Sequence, residues 1–261
     1  MDWTLDLGNS ALKLRGYATR DFDAAECTRI ANDEGLVERV REALTGGERA
    51  VGRAVLSSVG SAERTAQLLA LLEGLGADCV TSVESRLEKA VREPESVGAD
   101  RLFAALGALV RMQQDFPPTA ERAIVLDAGT ALTVDLVERV SEGSVLGRFL
   151  GGAIAPGPAL TTEALARGGA KLFSVDTNEA RVPALGQNTE EALRAGVVHG
   201  LRGTARELVR GLQGDGEALP VLVTGGAAFL LNGVFEAERT IVDPRLVDRG
   251  LFEVLCATAG T

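Results

Sequence analysis

From Trp3 to Tyr17 apolar positions alternate with polar ones, and the alternation turns at Asp6-Leu7-Gly8-Asn9. Period two on both sides of an Asp-x-Gly turn predicts a β-hairpin. The spacing changes to helical over Leu36–Leu44, where Glu and Arg recur three and four apart. Ala50–Val59 predicts a strand, and Ser57-Ser58-Val59-Gly60 at its end offers small polar residues to cap the helix that follows. That helix covers Glu63–Leu75 and stops at Gly76. A short strand at Cys79–Val83 and the loop Arg92–Gly98 lead to Ala99-Asp100-Arg101 and a helix over Leu102–Met112.

Gln113-Gln114-Asp115-Phe116-Pro117-Pro118-Thr119 reads as a linker, because two prolines cannot continue a helix. Strands restart at Ala123–Leu126 and Leu132–Glu138, with a third near Ser144–Phe149. The stretch Gly151-Gly152-Ala153-Ile154-Ala155-Pro156-Gly157 reads as a glycine-rich loop. Helices follow over Ala159–Arg167 and Glu190–Leu212, and the buried strand Val221–Val223 runs into Thr224-Gly225-Gly226. Each half thus opens on a hairpin and continues in alternating helix and strand. The expectation is mixed α/β, a quasi-repeat of half the chain, with domains over 1–116 and 117–261.

The second hairpin, Val125-Leu126-Asp127-Ala128-Gly129-Thr130 onward, echoes the first. A single Asp-x-Gly turn is ordinary hairpin chemistry. Two of them, each followed by a hydroxyl residue (Ser10 and Thr130), point to a duplicated phosphate clamp. The aspartate orients a hydrated cation, the glycine lets main chain approach phosphate, and the turn N–H groups form a nest for anions.

Composition narrows the classes. A net charge of −10 disfavours nonspecific nucleic-acid or anionic-membrane binding but leaves room for a locally held ATP. No apolar run reaches spanning length and no secretory segment is seen, so a cytoplasmic protein is expected. Cys27, Cys79 and Cys256 have no metal-ligand or redox spacing and read as buried thiols. The single histidine, His199, reads as a partly buried helix residue.

In order, Asp6-Leu7-Gly8-Asn9-Ser10, Ser57-Ser58-Val59, Gly98-Ala99-Asp100-Arg101, Asp127-Ala128-Gly129-Thr130, Gly151-Gly152-x-Ile154-x-Pro156-Gly157, Gly186-Gln187-Asn188-Thr189 and Thr224-Gly225-Gly226 resemble the type III pantothenate kinases. The resemblance extends to Asp243–Leu251 and implies the actin, sugar kinase and Hsp70 ATPase superfold: two similar ribonuclease H-like domains with a nucleotide cleft between them. It implies phosphorylation of pantothenate by ATP with Mg²⁺, the first step of coenzyme A biosynthesis, aided by a monovalent cation such as K⁺ or NH4⁺. It places nucleotide contacts along Asp6, Leu7, Gly8, Asn9, Ser10, Ala11, Leu12 and Lys13, with Gly129, Thr130, Gly225 and Gly226 from the second half. Asp6 and Asp127 are the implied cation ligands. Asp100 matches the general base, and Arg101 the partner of the pantothenate carboxylate. Gly98, Ala99 and Val91 line the substrate side, with Asn188 and Thr189 contributed across a homodimer.

Taken alone, Asp100-Arg101 reads first as a helix cap before a solvated arginine, and Lys13 as the outer face of a strand. Val91 stands where relatives carry tyrosine, and it lacks that ring's area and hydroxyl. Two other readings therefore stay open: a nucleotide-binding accessory protein with reduced turnover, or a kinase for another small hydroxy acid.

Overall fold

The alternation at the N-terminus folds into β1 (Asp2–Leu7) and β2 (Ala11–Tyr17), antiparallel, with Asp6 opposite Lys13. The computed structural model describes residues 1–46, 50–140, 143–214, 216 and 218–257. After β3 (Cys27–Ala31) comes α1 (Leu36–Thr45), whose Leu36, Val40 and Leu44 recur on one buried face. Next are β4 (Arg53–Ser58), α2 (Ala62–Gly74), β5 (Asp78–Val80), the short β6 (Leu87–Lys89) and α3 (Ala99–Asp115). The cap of α2 is Ser61, whose side chain accepts from the Arg64 N–H, and not the 57–60 stretch expected from sequence. Ser57 belongs inside β4, fully buried.

The second half carries β7 (Arg122–Ala128), β8 (Ala131–Arg139), β9 (Gly147–Pro156), α4 (Pro158–Gly168), α5 (Thr189–Gln213), β10 (Val221–Thr224), β11 (Thr240–Val242) and α6 (Leu246–Ala257). The glycine-rich stretch 151–157, expected as a loop, is mostly strand. A side chain at Gly152 would run into the Val134 carbonyl and Asp135, so β9 lies against β8 at a distance only glycine allows.

Two compact units result. The first comprises Met1–Gln114, Val140–Arg148 and the chain from Leu246; the second comprises Asp115–Arg139 and Phe149–Arg245. The expected division at 116/117 differs from this in the placing of Val140–Arg148 and in the destination of α6, which returns to pack on β1 and β4. Glycines permit the return: a Cβ on Gly107 of α3 would strike the Leu246 carbonyl, and one on Gly250 of α6 the Phe103 carbonyl.

The quasi-repeat is visible strand by strand. In the first unit the order is β3-β2-β1-β4-β5; in the second, β9-β8-β7-β10-β11 follows the same plan. In both, the hairpin is antiparallel and the two later strands join parallel. Leu5, Leu7, Leu12, Leu14 and Leu56 anchor one core, and Ile124, Leu126, Leu132, Val134 and Val223 the other.

Candidate functional site

In the first unit the hairpin register sets Asp6 directly across from Lys13, and the Lys13 Nζ lies 3.2 Å from the Asp6 Oδ2. On its other side Asp6 pairs with Ser57 of β4, whose hydroxyl is buried without a hydrogen-bond partner among the described residues. Asp6 itself is only 8% exposed. Burial pushes its carboxyl above the ordinary carboxylate range; the Lys13 ammonium pulls it back, and the charges of Asp248 and Asp100 push it up again. Asp248 is held by Arg15, 3.0 Å away and likewise buried.

The turn between the strands is tied at several points. The Gly8 N–H donates to the Ala11 carbonyl at 3.0 Å, and the Asn32 side chain reaches in from the end of β3 to donate to the carbonyls of Gly8 and Asn9, at 3.0 and 3.2 Å. Asn9 and Ser10 themselves are exposed.

Asp100 and Arg101 are the second and third residues of α3, half-buried, and the Gly98 carbonyl accepts the helix's first N–H, from Leu102 at 3.3 Å. The position expected for a helix cap thus falls to Gly98, and Asp100 lies within the first turn. Its Oδ1 accepts from the Arg101 N–H at 2.8 Å. A Cβ on Gly98 would lie 2.7 Å from that oxygen, so the glycine leaves the carboxylate room to turn back over the helix start. Ala99 is half-buried beside it, and Val91 is half-buried in the bend before the short turn Pro94–Ser96.

In the second unit Asp127 takes the place that Asp6 has in the first. It pairs with Thr133 of β8 and, in parallel, with Thr224 of β10, so a hydroxyl again stands beside the aspartate. Gly225, at φ +97°, follows Thr224; any Cβ there would meet the Asp127 carboxylate and the Ala128 carbonyl. The Ala227 N–H then closes on the Ala128 carbonyl at 2.8 Å, folding the 225–227 turn over the end of β7. The Gly129 N–H donates to the Ala131 carbonyl, and the Gly157 N–H to the Thr130 carbonyl. Thr130 and Gly226 are exposed.

Asn188 has a structural role: its side chain caps α5 by accepting from the Glu191 N–H, while the Glu191 carboxylate accepts from the N–H of Gln187, the residue before the cap. Thr189 opens the helix and is exposed. Cys27 is exposed and His199 is exposed with a ring nitrogen 2.9 Å from the Val182 carbonyl, so neither is buried as the sequence suggested. Among the described residues no helix is long and apolar enough to cross a membrane. No group of three His, Cys, Asp or Glu side chains is placed to hold a metal among them either. A single buried carboxylate such as Asp6 suits the way Mg²⁺ commonly binds with nucleotides, through one carboxylate, waters and phosphate oxygens.

Asn32, Ser57 and Asp248 stand near Asp6 or its turn in the first unit, and Thr224 beside Asp127 in the second, without having been singled out. Ser57, Thr224 and Asp248 lay within stretches quoted for the resemblance. Asn32 carried no local signal, since its bonds span 23 and 24 residues.

The type III pantothenate kinase family model matches residues 4–211. A type III pantothenate kinase of Thermus thermophilus is 40% identical over 184 residues, 70% of this chain and 68% of that one. One from Roseiflexus castenholzii is 37% identical over 172 residues, 65% of this chain and 61% of its own length. Among solved structures, the activator of 2-hydroxyisocaproyl-CoA dehydratase from Clostridium difficile, with bound ADPNP, matches with a TM-score of 0.54 at 16% identity. That match covers 98% of this chain and 96% of the activator. The ethanolamine utilization protein EutJ from Carboxydothermus hydrogenoformans matches at 0.51 and 17%, covering 96% and 88%. At such identities the likeness is one of fold alone.

Proposed function

We propose roles for Asp6, Lys13, Asp100, Arg101 and Asp127 on one premise: the chain belongs to the type III pantothenate kinase family, and it phosphorylates pantothenate with ATP in coenzyme A biosynthesis. The observation that carries this is a family match over residues 4–211 that includes all five of these residues.

Phosphoryl transfer asks a protein mainly to position the donor and acceptor and to neutralise charge. In this reading Asp6, Leu7, Gly8, Asn9, Ser10, Ala11 and Leu12 cradle phosphate, and Lys13 meets the transferred phosphoryl. Mg²⁺ bound with ATP would supply further charge neutralisation, with Asp6 the carboxylate that would hold it. Gly129 and Thr130 form the matching turn of the second unit, and Gly225 and Gly226 serve the adenosine side. Asp127 takes a monovalent cation, K⁺ or NH4⁺.

Asp100 accepts the hydroxyl proton of pantothenate. Arg101 grips its carboxylate, helped by the positive end of the α3 dipole. Gly98, Ala99 and Val91 complete the substrate side. The protein acts in the cytoplasm as a homodimer, with Asn188 and Thr189 reaching the substrate of a second copy. On α5, Gly196, Gly200 and Gly203 have open space where a side chain would stand, which suits close approach by another helix.

The test is a coupled assay of ADP release with pantothenate beside a panel of hydroxy acids and sugars. Pantothenate-dependent turnover is expected; release with another member alone, or with none, would refute the assignment.

A further inference from the structure

We propose that Asn32 is a positioning residue for the ATP phosphates: by holding the carbonyls of the 8–10 turn on one side, it presents the N–H groups of Asn9 and Ser10 on the other. The inference rests on the reading of this turn as a phosphate cradle.

Three consecutive carbonyls of the turn are captured by this one residue. The Asn32 Nδ2 donates to the Gly8 and Asn9 oxygens at 3.0 and 3.2 Å, and the Asn32 main-chain N–H donates to the Ser10 oxygen at 3.1 Å. No peptide bond in the described chain is cis. In a planar trans peptide the C=O and the following N–H point in opposite directions. Fixing the Gly8 carbonyl toward Asn32 therefore fixes the Asn9 N–H away from it, and fixing the Asn9 carbonyl does the same for the Ser10 N–H. Neither N–H donates to any described residue. Two adjacent, oriented, unused N–H groups are the anion nest that a bare hairpin turn does not guarantee.

The side-chain and main-chain bonds separate cleanly. Asn32→Ala removes both amide contacts yet keeps the main-chain bond to Ser10 and the β2–β3 register from Ala11↔Ala31 to Arg15↔Cys27. Asn32→Asp keeps the size but sets a carboxylate against two carbonyls and brings negative charge toward phosphate.

Binding of ADP and of adenosine to wild type, Asn32→Ala and Asn32→Asp is measured by calorimetry, with steady-state KM values for ATP and pantothenate. Asn32→Ala is expected to weaken ADP about five- to tenfold, the worth of roughly one net hydrogen bond. KM for ATP rises in step, while adenosine binding and KM for pantothenate hold. Asn32→Asp loses more. Unchanged ADP affinity in Asn32→Ala, or an equal loss for adenosine, overturns the proposal and leaves Asn32 a structural tie. Wild-type protein that binds ADP but does not turn over pantothenate refutes the functional assignment alone.

Discussion

Lys13 faces Asp6 as its register partner across the first hairpin, with the ammonium 3.2 Å from the carboxylate. The partner offsets only part of what burial costs. Desolvation is the largest influence on Asp6, and Asp248 and Asp100 add negative charge nearby. A carboxylate so placed is poorly solvated until something positive arrives, which is the condition a cation carrying ATP would relieve.

Asp6→Asn should therefore stabilise the ligand-free protein while abolishing phosphoryl transfer. With the folded pKa raised above the unfolded one, the native state binds more protons in the interval between them. Stability accordingly falls as pH rises through that interval, and the penalty is complete above the folded pKa. Melting curves in chelator should show the variant ahead at neutral pH, with its lead vanishing as pH drops below the unfolded carboxylate value. A variant less stable than wild type at neutral pH would mean that Lys13 outweighs burial.

The two hairpins, α1, α2, α4 and α5 were legible because their signals are local: period two, period 3.6, and turns at glycine. Gly151–Gly157 misled for the same reason. Locally it is loop composition, and only the approach of β8, visible in three dimensions, explains glycine in a strand. The cap of α2 moved one residue beyond the expected stretch, to Ser61, since Ser57 and Ser58 still belong to β4. Among the candidate residues, the matching places of Asp6 and Asp127 in their own hairpins and the Asp100-Arg101 helix start could be read from motif order. Ser57 beside Asp6 and Thr224 beside Asp127 follow from strand register, and Asp248 from the return of α6. None of these pairings exists until strands are matched.

Asp100→Asn tests the chemistry at the start of α3. The change is nearly isosteric and the amide oxygen can still accept from the Arg101 N–H, so melting should barely move. Turnover should fall about 10²–10⁴-fold, the usual cost of losing a general base, with ATP binding retained. Arg101→Ala should differ in kind, raising KM for pantothenate more than it lowers kcat, because a grip on the carboxylate persists throughout the reaction. Wild-type turnover in Asp100→Asn would remove Asp100 from the mechanism.

Gly157→Ala probes the second turn without touching a charged group. The new methyl would overlap the carbonyls of Gly129 and Thr130, both main chain, so the turn itself must move. Overpacking of this kind costs about 1–3 kcal/mol. KM for ATP should rise while KM for pantothenate stays near wild type. Unaltered KM for ATP would separate this turn from nucleotide binding.

The Arg15–Asp248 pair joins β2 to α6 across 233 residues, with both side chains at or below 10% exposure. The Asp248 carboxylate holds Arg15 charged against its burial, while Arg15 also donates to the Ala25 carbonyl at 3.2 Å. Asp248→Ala strands a buried guanidinium and should lower stability in urea by about 3–5 kcal/mol. Replacing both partners with apolar residues of similar volume, Arg15→Met with Asp248→Leu, should recover most of that loss, since neither charge then needs solvating. The same double variant removes one of the negative charges that raise the Asp6 pKa, so its activity reports separately on the site. Recovered stability with lost turnover would assign the pair to tuning Asp6; recovery of both would make it a fastener for α6. Failure of the double variant to regain stability would show that the pair contributes more than its own desolvation costs.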